Sequence, residues 1–86
     1  MHSYHPNEGY VASEQTAKSI AEAVLIPIYG KENIEKQKPF KVILKDETWI
    51  VEGSTPDNRG RIYLGGVFMI RISKFTGEIL FLTHSK

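Results

Sequence analysis

Residues 40–53 of the chain read FKVILKDETWIVEG. Phe40, Val42 and Leu44 alternate with Lys41, Ile43 and Lys45. Successive strand residues point to opposite faces, so this period of two predicts a strand with one apolar face. Asp46 and Glu47 break the run, and residues 48–53 carry it back. A two-residue turn sets Leu44 opposite Trp49 and Val42 opposite Val51. The stretch is expected to be a hairpin whose inward face is Phe40, Val42, Leu44, Trp49 and Val51. Such a face has to be buried against other elements, and the flanking sequence supplies them.

Upstream the period becomes helical. Ala17, Ile20, Ala21, Val24, Leu25 and Ile28 fall on one stripe, with Lys18, Ser19 and Glu22 facing away. Ser13 suits the cap, because its hydroxyl can accept from a first-turn amide, and Glu14 suits the positive end. Pro27 lies inside this pattern and deprives the Ala23 carbonyl of its donor. With Gly30 three residues later it falls in the final turn, where the loss costs less than the roughly 3 kcal/mol of a helix interior. Gly30 is expected as a left-handed cap, and KENIEKQ as a short second helix ending before Pro39. Pro27 thus reads as a bend toward the sheet and not as a site.

Downstream, STPDNRGR is a loop by composition, IYLGGVFMIRIS a long strand with a bulge or bend at Gly65 and Gly66, KFTGE a turn, and ILFLTH the last strand. The fold class is α+β: an N-terminal helix and a short second helix packed on a curved four-stranded antiparallel meander. Residues 13–86 form the single domain, preceded by a polar, turn-rich flexible arm over residues 1–12.

Strict alternation across KFTG puts Phe68, Ile70, Ile72, Ile79 and Phe81 on one face, and Val67, Met69, Arg71, Leu80, Leu82 and His84 on the other. Four apolar residues among six are too many for a solvated face. Either further elements cover that face or it meets a partner. On the second reading Met69→Lys or Leu82→Lys leaves the domain folded and abolishes association.

A chain of 86 residues is one domain, and it buries only about 60% of the surface its unfolded form exposes, which disfavours a large enclosed active site. Hydrophobic residues at 41% and charged residues at 24% are ordinary globular values. No run approaches the about eighteen apolar residues of a membrane span. A net charge of +1 is too balanced to drive generic nucleic-acid binding. Without cysteine there is no disulfide, thiol nucleophile or thiolate metal site, and the redox compartment stays open. The first ten residues, MHSYHPNEGY, lack the apolar centre of a secretory signal, so the chain is cytoplasmic or a mature form with its signal removed.

The sequence offers little chemistry. His2 and His5 have a metal-like spacing but no fixed third ligand, and no nucleophile elbow accompanies His84. Asp46, Glu47 and Glu52 read as solvated turn and edge charges. LGGV lies within a strand, unlike a phosphate loop. Arg59 and Arg61, with Asp57 in the same loop, can pair with charged groups of a partner. No catalytic, cofactor-binding or metal-binding residue is assigned.

The order of GYV, AEAVLIPIYG, EKQKPF, WIVEG, GGVF and TGEIL resembles the bacterial immunity proteins with a nuclear-transport-factor-two-like, cystatin-like fold. The resemblance covers nearly all of residues 9–86. It implies a helix against a curved sheet and a non-enzymatic role in a polymorphic toxin system, inhibiting a cognate protein toxin by binding. The expected contact residues are Val67, Met69, Arg71, Leu80 and Leu82 of the outer face with Asp57, Arg59 and Arg61 of the loop. The same face could also join two copies as a homodimer. Two other readings stay open: a small-molecule-binding or enzymatic member of the wider cone-shaped fold, with a pocket around Trp49 and Tyr29, and a propeptide-like envelope module.

Overall fold

The computed structural model describes residues 6–54 and 67–84. Helix α1 (Glu14–Tyr29) is followed by α2 (Lys31–Glu35) and strands β1 (Lys41–Lys45), β2 (Thr48–Glu52), β3 (Phe68–Ser73) and β4 (Ile79–His84). The strands form one antiparallel sheet in sequence order, β1-β2-β3-β4, the expected meander. The region expected to hold the Gly65–Gly66 bulge lies outside the described residues.

The first hairpin takes the expected register, with Val42 opposite Val51 and Leu44 opposite Trp49. Asp46 and Glu47 both have positive φ, 49° and 62°. This is the turn whose twist matches that of the flanking strands, achieved here without glycine. Leu44 shares the inward face but is 46% exposed, because it ends an edge strand that α1 reaches only in part.

At the start of α1, Ser13 Oγ accepts from the Thr16 amide at 3.2 Å. Ala17, Ala21 and Leu25 are wholly buried, and Ile20 and Val24 pack beside them. The buried line advances in steps of four to Tyr29, which leaves Ile28 on its flank, exposed rather than in the core. The two alanines let the helix approach the sheet closely, and Phe68, Ile70, Ile72, Val51 and Trp49 fill the space beneath. Each such large side chain contributes about 1.5–3 kcal/mol by burial.

Helix α1 continues through Pro27, and the Gly30 amide donates to the Ile26 carbonyl at 2.8 Å. Gly30 has φ 94° and ψ 141°. The sign of φ is as expected for a glycine cap, but ψ is too extended for the left-handed helical basin. The chain therefore turns straight into α2 instead of winding back on itself, and Asn33 Nδ2 donates to the Tyr29 carbonyl at 2.6 Å.

The last residues of the N-terminal arm are fixed to the domain. The Tyr10 and Val11 amides donate to the Phe75 and Lys74 carbonyls at 3.1 and 2.9 Å, Val11 is buried, and Trp49 Nε1 donates to the Val11 carbonyl at 2.7 Å. Gly9 has φ +90° and a Cβ there would run into the Lys74 carbonyl, so only glycine allows this approach.

Candidate functional site

The second hairpin departs from strict alternation. Phe68 pairs with His84, Ile70 with Leu82 and Arg71 with Phe81, but Ile72 pairs with Ile79, with an irregularity between Arg71 and Ile72. Leu80 is the extra residue of a β-bulge, and it shifts the parity of everything after it. Three expected placements are corrected by it. Phe81 leaves the inward face and lies outward beside Arg71, whereas Leu82 and His84 turn inward. Leu82 packs on the core, and His84 stacks against Tyr29 with ring centroids 4.7 Å apart.

Helix α1 covers one face of the sheet, through contacts to β1 and β2. The opposite face is built from outward residues in cross-strand rows. Ile43, Ile50, Arg71 and Phe81 form the central row, and Glu52 and Met69 lie beside it. Ile43 is 58% exposed, Leu80 49% and Phe81 48%. The Arg71 guanidinium lies over the Phe81 ring, 5.5 Å from its centroid. Thr48, Ile50, Arg71, Leu80 and Phe81, with Lys45 and Asp46 at the rim, line a shallow cleft of about 460 Å³. These are groups for contact: apolar side chains around an exposed cation.

Of the expected contact residues, Met69, Arg71 and Leu80 therefore share this face, and Val67 lies just before β3. Leu82 does not belong to it. Asp57, Arg59 and Arg61 lie outside the described residues, as do His2 and His5. Ile43, Ile50 and Phe81 are the additions. The first two were legible as the outward partners of the first hairpin, since its register sets them opposite one another. Phe81 was hidden by the bulge.

The small-molecule reading expected a pocket around Trp49 and Tyr29; among the described residues both side chains are engaged in packing. Trp49 is 8% exposed, its indole packed in the core and its N–H bonded to Val11. Tyr29 stacks against His84, and Gln37, which contacts the same histidine, is 2% exposed. Gln37 Oε1 accepts from the Phe68 amide at 2.9 Å, and its Nε2 faces the Asn33 carbonyl and His84 Nε2, each at 3.4 Å. This polar cluster ties α2 to β3 and β4, a role the sequence pattern did not reveal. Among the described residues no three His, Asp or Glu side chains gather as a metal site.

A helix pair on a four-stranded antiparallel sheet is the architecture that the resemblance implied, and the model of the NTF2 fold immunity proteins matches residues 16–86. The chain belongs to that family. Its α+β fold is accordingly NTF2-like. It is also similar to two proteins of Escherichia coli strain K12 that carry the names uncharacterized protein YhhH and uncharacterized protein YbbC. Identity is 33% and 34%, each over 76 residues. The matched region is 88% of this chain and 58% and 60% of those proteins, so the chain spans about three fifths of the length of the curated relatives it matches. No solved structure matches.

Proposed function

We propose that this immunity-family protein neutralises a cognate protein toxin by direct, non-enzymatic binding, and that the outer sheet face is the surface it uses. The observation that carries the reading is the row Ile43, Ile50, Arg71 and Phe81 with Leu80, an apolar and cationic surface on the sheet side away from α1. Single exposed apolar side chains are ordinary, but a contiguous group of them supports an interaction site. Met69 beside this row adds a side chain that adapts to an irregular partner surface. Asp57, Arg59 and Arg61 are proposed as further polar contacts with the partner, arginine being favoured at protein interfaces.

The test is co-expression with candidate protein toxins, taking first any that a gene adjacent to this one proves to encode. The expected result is rescue of growth together with co-purification of the two proteins. Rescue and co-purification both failing would overturn the reading.

A further inference from the structure

We infer that Arg71 is the residue of this face that reads the partner, and that it takes a carboxylate set within an apolar patch of the toxin. The inference rests on the proposed use of the outer face for toxin binding. Arg71 stands at the centre of the face, opposite Ile50 on one side and Phe81 on the other. The guanidinium carbon lies 5.5 Å from the Phe81 ring centroid, a cation–π contact that uses none of its N–H donors. Among the described residues no carboxylate pairs with it: neither Glu52, its diagonal neighbour on the face, nor Asp46 at the cleft rim makes an ion pair with Arg71. A planar donor fork with no carboxylate partner among the described residues fits a carboxylate held in two parallel hydrogen bonds.

Charge chooses between occupants. The outward strand positions carry Lys41, Lys45 and Arg71 against the single carboxylate of Glu52. Two copies joined by this face would bring cations against cations, which disfavours a homodimer. The chain's net charge of +1 and the apolar side chains around Arg71 argue against a nucleic-acid strand. An acidic group ringed by apolar side chains on a different protein complements both the charge and the surround.

The experiment is calorimetric titration of an inactivated form of the toxin that the co-expression test identifies into wild-type protein, Arg71→Gln, Arg71→Lys and Phe81→Asp, at low and high salt. Arg71 is exposed and its described contact is the Phe81 ring, so all its variants should melt as the wild type does. Arg71→Gln is expected to weaken binding by about tenfold to a hundredfold, and Arg71→Lys to recover part of that. Salt should weaken the wild-type complex more than the Arg71→Gln complex. Undiminished binding by Arg71→Gln, with loss in Phe81→Asp, overturns the role of Arg71 while the immunity reading stands. No binding and no protection by the wild type removes both. An Arg71-dependent complex with a short single-stranded RNA, or a dimer broken by Arg71→Gln, also overturns the inference.

Discussion

The side-chain oxygen of Gln37 accepts a hydrogen bond from the backbone N–H of Phe68 at 2.9 Å, although the two residues are far apart in the chain and both are buried. Phe68 begins β3, and its carbonyl accepts from the Gly53 amide at 3.0 Å, so the link joins α2 to the two central strands. Gln37→Leu keeps the bulk but orphans the Phe68 amide. We expect a loss of about 1–3 kcal/mol, read as a lower urea midpoint with an unchanged slope. Gly53→Ala should destabilise through the same cluster, because a Cβ there runs into the Gln37 side chain.

The Trp49 indole holds the segment before α1. Trp49→Phe removes the N–H that reaches the Val11 carbonyl and leaves a buried acceptor unpaired. Stability should fall by about 1–3 kcal/mol. The Tyr10 and Val11 amides should exchange with solvent faster than the amides of the central strands, because the bonds to Phe75 and Lys74 then lack their brace.

The bulge predicts opposite outcomes for neighbours. Leu80→Lys places a charge on an exposed position and should change stability by no more than about 0.5 kcal/mol. Leu82→Lys puts an ammonium group against the core cluster and should lower the melting temperature markedly. If both variants melted alike, the assigned register of β4 would be wrong. Strict alternation had placed Leu82 outward and made its substitution harmless to the fold.

Lys38 gives one pH dependence. Hydrogen bonds from its ammonium to the Glu22 and Glu35 carboxylates, 2.7 and 3.0 Å away, raise its pKa above the ordinary 10.5. The folded state then holds that proton more tightly than the unfolded state. The stabilisation is complete below about pH 10.5 and disappears as pH rises through the raised value. Lys38→Gln should remove this part of the alkaline decline in urea midpoint. The group is solvent-accessible, so the effect is small and salt-sensitive.

The sequence carried the architecture because the deciding patterns are local. A period of two between Phe40 and Val51, a stripe from Ala17 to Leu25, and Asp46–Glu47 between two strands each follow from backbone geometry. The candidate site was legible in part. Met69, Arg71 and Leu80 were placed on the outer face by alternation alone, and Ile43 and Ile50 lie in the same pattern. Phe81 and Leu82 were exchanged because a bulge adds one residue without a residue type that announces it. Gln37 escaped notice for a different reason: a glutamine in a polar run looks solvated until the tertiary structure closes over it.

The bulge also separates two demands that usually conflict within one strand. Leu80 is supernumerary, since deleting it would give a regular ladder with Phe81 still beside Arg71 and Leu82 still against the core. The outer surface can therefore gain or lose a residue at this point while the interior keeps its jigsaw. Selection for a new partner could act on that position without first having to repair the fold.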